Sequence, residues 1–249
     1  MLGLRCSRWM HAVALAVLGL FLSPPLAQAD SWDWRNVNGK NYMTPAKAQG
    51  PMECRTFAGL AAIEAKIKIV LDDPNLDIDL SERHVLQSTH GRSGFPQFSG
   101  TGVATGTGIL TEAELPYDMD PVVFAPDWED RAYSISEFKV AVVKLEIEQR
   151  DTIKQWLRNY GPLYVQHNHA VTLVGYDDDL GKWIVKETCG PSCGDNGYFY
   201  KNWDYMQSAR VEMLTGNVYY GGELIPEPGS AVVLLLSLPW VLRVRGRAR

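Results

Sequence analysis

Cysteine is scarce in this chain of 249 residues: four occur, Cys6, Cys54, Cys189 and Cys193. Stability therefore has to come from core packing and at most a local bridge. Cysteine and histidine never gather a third and fourth ligand at zinc-like spacing, which sets metal binding aside. The interior has no basic stripe interleaved with aromatics, and the formal net charge is -5, so nucleic acid is not an expected partner. No internal repeat or low-complexity segment occurs, and nothing in the pattern calls for a cofactor. The apolar stretch at 231–242 is shorter than the ~20 residues a comfortable membrane span needs. What remains, 46% hydrophobic and 21% charged, is the composition of one folded domain. A monomer is expected.

The two ends read as addresses. Arg5 and Arg8 precede the apolar run 11–22 and then Ala27-Gln28-Ala29, the layout of a signal peptide with a small-residue cleavage site. The mature chain is expected to begin near Asp30, exported into a setting where disulfides persist. At the other end Ile225-Pro226-Glu227-Pro228-Gly229-Ser230 precedes the apolar run and the basic segment Arg243 to Arg249. This tail resembles a PEP-CTERM sorting signal. The resemblance implies transient membrane contact, held by positive charge on the cytoplasmic side, and later cutting by an exosortase-type enzyme. A permanent C-terminal anchor is the alternative. The expected division is a signal peptide at 1–29, a folded domain at 30–222 and a sorting tail at 223–249. The expected location is the cell envelope, surface or surroundings of a Gram-negative-type bacterium.

Chemistry is concentrated at three places. Cys54 lies in Gln49-Gly50-Pro51-Met52-Glu53-Cys54-Arg55-Thr56-Phe57, a glutamine shortly before a lone thiol at a predicted helix start. Beyond it Phe57, Leu60, Ala61, Ile63, Ile67, Val70 and Leu71 recur near helical spacing up to Asp72-Asp73-Pro74, giving a buried helix with the thiol at its N-terminus. A helix N-terminus with an imidazolium pulls a cysteine pKa from ~8.5 to about 3.5 to 7.5. His169 is the candidate partner. It opens a strand through Tyr176, and Trp183 to Glu187 forms a second extended run after a turn-rich Asp177 to Lys182. The two runs are predicted to pair as an antiparallel hairpin, bringing Glu187 beside His169. Nucleophile, base and orienting group are the minimum for covalent catalysis.

Four blocks in order resemble the papain-like cysteine peptidases. They are Asp33-Trp34-Arg35 with Met43 to Gly50 and Cys54-x-x-Phe57; Leu80-Ser81-Glu82; Gly108 to Glu112 with Leu115-Pro116-Tyr117; and His169 to Tyr176 with Lys186 to Gly190 and Asn196-Gly197-Tyr198. The match spans roughly residues 31 to 200. It implies an α+β, papain-like two-lobed fold, with a helical first lobe, an antiparallel β-rich second lobe and the active site in the cleft between them. It also implies that Cys54 is the nucleophile, His169 the general base and acid, and Gln49 an oxyanion donor beside the Cys54 backbone N–H. The substrate would be a protein or peptide. Because the resemblance starts almost at the first mature residue, no room is expected for an inhibitory prosegment.

The departures from the family pattern are specific. Glu187 stands where the family has asparagine; a carboxylate accepts the same hydrogen bond but favours imidazolium and makes His169 a poorer base. The loop from Gln49 to Cys54 is one residue short. Glu53 opposes a thiolate at Cys54, and Arg55, standing where the family has tryptophan, favours it. Cys189 and Cys193 replace the tryptophans that flank the orienting residue. With Cys6 removed, three cysteines remain, best solved as one disulfide, Cys189 to Cys193, and one free thiol, Cys54. A redox dithiol is the other reading of that pair, at a spacing one residue too long.

Other residues have plainer readings. Cys54 alone could be a small buried hydrophobe, and Glu187 a surface charge. His167 is a rival to His169 that is expected to face solvent, while His84 and His90 are read as structural or exposed. The glycine-rich stretch 88–107 is either the substrate-cleft wall or an ordinary loop. Two functions stay open: an exported cysteine endopeptidase, and a papain-like surface binding module that has lost catalysis.

Overall fold

The structure, a computed structural model, describes residues 30–88, 104, 107–143 and 147–227. The signal peptide, Cys6, His90, most of the glycine-rich stretch and the tail beyond Glu227 lie outside the described residues. The chain divides after Asp30 into a leading unit and a unit beginning at Ser31, to which every element named here belongs.

The first lobe is built on helix α1, Cys54–Val70. Its sequence is rich in Ala and Ile, with Leu71 as C-cap and Asp72 in the left-handed region at φ 48° closing its end. An amphipathic surface helix buries one stripe; α1 is buried on nearly every side. Leu60, Ile63, Ile67 and Val70 pack with Ile78, Leu80, Val85 and Ile109, whereas Ala65 packs into the second lobe's core. Each fully buried Leu or Ile contributes about 1.5 to 3 kcal/mol, so α1 is common property of both cores. A short helix α2, Glu82–Ser88, lies beside it.

The second lobe is an antiparallel sheet. β1 spans Ser31–Asp33, β3 Phe138–Val142, β4 Leu163–Gln166, β5 Ala170–Asp177, β6 Lys182–Lys186, β7 Tyr198–Asn202 and β8 Arg210–Leu214. They run in the order β3-β8-β4-β5-β6-β7, with β1 on β5. A smaller sheet joins β2, Tyr133–Ile135, to β9, Val218–Tyr220, and β10, Glu223–Leu224. The backbone N–H of Ile225 still donates to Val218 O at 2.9 Å, so the paired fold runs past the expected boundary at 222.

Helix α3 spans Ile147–Tyr160, and Glu148, Gln149 and Arg150 in its first turn are all good helix formers. The predicted hairpin is present: β5 and β6 pair from Asp177↔Lys182 to Thr172↔Lys186. Its inner face, with Val171, Leu173, Trp183 and Val185, joins Leu163, Val165, Val211 and Leu157 in the lobe's core. Fold class and lobe composition are those expected: α+β, helical first lobe, antiparallel second lobe.

Candidate active site

Three segments converge on Cys54. The first is its own loop. Glu53 caps α1 without a side-chain cap bond; its carboxylate instead accepts from the Gly50 N–H at 2.9 Å and from the Tyr117 hydroxyl. That turn passes through Met52 at φ 64°. A Cβ added at Gly50 would lie 2.6 Å from Glu53 Oε2 and 2.8 Å from the Tyr117 oxygen, so a larger residue there would displace the ends of those two side chains. The expected opposition of Glu53 to the thiolate is thus met by turning its charge into the loop. The Glu53 carbonyl takes the N–H groups of Thr56 and Phe57. The two amides before them, of Cys54 and Arg55, have no acceptor among the described residues, as the first turn of a helix leaves them.

The second segment is the entry to β5. The Cys54 side chain is half-buried against Ala58, Tyr164 and Ala170. Burial pushes its pKa up, but hydrogen bonds from His169 and the Ala170 backbone, with the charges of His169 and Arg55, outweigh it and hold the thiol below its ordinary value. Arg55 is itself fixed. With the Gln166 amide oriented to satisfy both neighbours, its oxygen accepts from Arg55 at 2.6 and 3.1 Å and its nitrogen donates to the Tyr164 hydroxyl at 2.8 Å.

The third segment follows β6. Glu187 Oε2 lies 2.8 Å from His169 Nε2, which leaves Nδ1 of the ring for the sulfur. His169 is pushed up to about 10, first by its bond with Cys54 and then by Glu187, against burial. Glu187 is held low: burial raises it, and the bond to His169 and the charges of His169 and Lys201 overcome that. The Glu187 N–H is anchored on Gly197 O at 2.8 Å. Gly197 sits at φ +87°, where an added Cβ would strike Ala46.

Gln49 is tied to the same third segment. Its backbone N–H donates to Thr188 O at 2.8 Å, the Thr188 hydroxyl donates to its Oε1, and its Nε2 donates to Gly50 O at 3.0 Å. Thr188 thereby sets the direction of the amide. Cys189 bridges Ala48 in an isolated β-pair and is disulfide-bonded to Cys193, with Cα atoms 6.2 Å apart. Cys54 is the free cysteine among the described residues.

Two expectations for histidine are settled differently. His84 is structural, buried with Nδ1 accepting from Leu110 N–H at 3.2 Å. His167, expected to face solvent, is half-buried: its ring packs on Tyr205 with centroids 5.2 Å apart, and its Nε2 is shielded with no hydrogen-bond partner among the described residues. The turn before β5 is closed by the His167 N–H, which donates to His169 O at 3.0 Å.

Beneath the site lies a cluster that sequence reading missed. Lys47, Glu64, Glu82 and Lys186 line a narrow cavity with Thr172, Glu187 and Thr188. Lys47 lies 3.3 Å from Glu64 and 2.8 Å from Glu82; Lys186 donates to Thr44 at 3.2 Å, and Thr44 to Glu64. Burial pushes Glu82 up to about 7 and Lys186 down to about 8. Charged residues in sequence read as solvated. Among the described residues no group of three His, Cys, Asp or Glu could hold a metal, and no helix is long and apolar enough to cross a membrane.

A family model described as papain family cysteine protease matches residues 28–168, more than half of the chain. The chain belongs to that family. The match stops one residue before His169, so the histidine and Glu187 rest on geometry. Cysteine proteinase 1 of Entamoeba histolytica is 30% identical over 199 residues, 67% of this chain and 61% of that protein. Zingipain-2 of Zingiber officinale is 30% identical over 68% of this chain and 85% of its own length; cathepsin S of Bos taurus is 27% identical over 68% and 58%. The chain thus spans less than two thirds of the Entamoeba and bovine relatives. In fold it resembles procathepsin L2 of Tenebrio molitor, TM-score 0.59, 22% identity, covering 78% of this chain and 70% of the other. It also resembles the Carica candamarcensis protease CMS1MS2 solved with E-64, TM-score 0.58, 20% identity, covering 75% and 98%.

Proposed function

We propose that this protein is an exported cysteine endopeptidase. The observation that carries the reading is His169 standing between the Cys54 sulfur and the Glu187 carboxylate. In the proposed reaction the Cys54 thiolate attacks the scissile carbonyl, and the oxyanion is met by the Cys54 N–H and the Gln49 amide. His169 gives its proton to the leaving amine as the peptide C–N bond breaks, leaving a thioester. Water then adds to the thioester with His169 taking its proton, and the adduct expels the sulfur as thiolate, restoring the ion pair.

Residues 1–29 are proposed as a signal peptide, 30–222 as the peptidase domain and 223–249 as a PEP-CTERM-like tail whose start overlaps the last strand. The tail would touch the membrane transiently and be cut by an exosortase-type enzyme, releasing a monomer at the envelope or surface of a Gram-negative-type bacterium. Substrates are proteins or peptides. The tie of Gln49 to Thr188, through its backbone N–H and its Oε1, supports a preset oxyanion donor.

The test is alkylation. Iodoacetamide at pH 6 is expected to label Cys54 at least ~100-fold faster than a free thiol, because the thiolate persists below the ordinary thiol pKa. Ordinary thiol kinetics would end the ion-pair reading. Cleavage of fluorogenic peptides blocked by that labelling supports peptidase activity, and mass spectrometry of the secreted protein reads both processing sites.

A further inference from the structure

Glu187 is the point at which the site changes charge relative to the family pattern, and the structure supplies a counter-charge for it. Its two oxygens have different partners: Oε2 is 2.8 Å from His169 Nε2 and Oε1 is 3.5 Å from Lys201 Nζ. Lys201 lies on β7, and its ammonium sits 5.1 Å from the ring centroid of Phe199, two residues back on the same strand, and 5.3 Å from that of Tyr205. Contact with two aromatic faces narrows the places a lysine head group visits. Both partners are largely withdrawn from water, with side chains 13% and 29% exposed, so the pair is screened less than a surface pair.

A carboxylate beside an imidazolium has a drawback that an amide lacks. It holds the ring proton, and a general acid that holds its proton too tightly transfers it poorly to a leaving amine. The cation at Oε1 opposes that pull. The groups that face His169 are Cys54 from α1 and Glu187. Those that face Glu187 are His169, Lys201 from β7 and Tyr205 from the turn after it, with Lys47, Glu64, Glu82 and Lys186 across the cavity on the other side. Among the described residues Lys201 is the lysine within ion-pair range of Glu187.

We propose that Lys201 is a positioning residue: by taking Oε1 of Glu187 it aims the other oxygen at His169 and tempers the carboxylate's charge, so that an acid serves where the family has a neutral amide. This rests on reading Cys54 and His169 as the working pair.

The test is an imidazole 15N titration of His169 in the Cys54→Ala protein, where the ring answers to Glu187 and Lys201 without the sulfur. Lys201→Gln is expected to raise the His169 pKa by about 0.5 to 1 pH unit, and Lys201→Arg to restore it. In a Glu187→Asn background the same glutamine change is expected to move it by less than about a third as much. An equal shift in both backgrounds, or none in either, overturns the proposal. With Cys54 present, Lys201→Gln is expected to lower kcat for peptide hydrolysis about 3- to 10-fold with KM little changed. A protein that cleaves no peptide yet shows the coupled titration loses the peptidase reading and keeps the Glu187–Lys201 role; one that cleaves peptide without the coupling does the reverse.

Discussion

The two halves of the site are held by different kinds of order. His169 just before β5 and Glu187 just after β6 are delivered to one end of a ladder of five paired positions. The geometry there is spread over many backbone bonds and tolerates a change of side chain, which is why glutamate at 187 still meets the ring at 2.8 Å. The Cys54 half hangs on a loop whose shape depends on a few side-chain bonds: Glu53 to Gly50 and Tyr117, and Thr188 to Gln49. A departure in the ladder half changes charge and leaves geometry; one in the loop half rebuilds geometry. The same chain shows both kinds.

The largest way to break the comparison is at the sulfur. Cys54→Ser is expected to lower peptide hydrolysis by more than ~1000-fold, since a hydroxyl lacks the thiol's low pKa, read by fluorogenic peptide turnover and confirmed as folded by circular dichroism. Gln49→Ala comes next, with a loss of ~10²- to 10³-fold in kcat, the usual effect of one oxyanion donor. Iodoacetamide labelling of Cys54 forms no oxyanion, so that rate is expected to hold. A matching loss of labelling would move Gln49 from transition-state binding to loop structure.

The local staple behind the ladder half is tested by replacing Cys189 and Cys193 with serine. Closing so short a loop stabilises by about 2 kcal/mol, roughly thirtyfold in the folding constant, which urea unfolding measures. The smallest effect is also the sharpest. In Glu187→Asn the alkaline limb of the rate profile, set by the His169 imidazolium at about 10, is expected to fall by at least about one pH unit. The sign carries into stability. A histidine raised above its ordinary 6.5 contributes stability that is present below that value and is lost as pH rises through about 10, and the variant narrows that window. An alkaline limb that stays in place would detach Glu187 from the ring.

Much of this was legible beforehand. The helix headed by Cys54 followed from apolar spacing ending at Asp72-Asp73-Pro74, and the hairpin from two extended runs around a turn, so the meeting of His169 with Glu187 was a matter of ladder register. The disulfide followed from counting thiols. His167 is half-buried rather than open to solvent because Tyr205 packs on its ring from a distant turn, a contact that a polar neighbour of a strand does not announce. The cluster of Lys47, Glu64, Glu82 and Lys186 was invisible for the same reason: each charge is ordinary in sequence, and burial belongs to the partners around it. Lys201 reads as a surface lysine on an alternating strand until Phe199 and Tyr205 place its ammonium on Glu187.

Residue identity and short-range spacing determined which groups this protein owns and which local backbone carries each: a thiol on a helix tip, an imidazole before a strand, a carboxylate after its partner strand. Packing of α1 between two cores decided how far apart they stand and what surrounds them. Periodicity reports only on neighbours within a turn or a ladder, whereas burial, ion pairing and proton affinity depend on atoms brought close from remote parts of the chain.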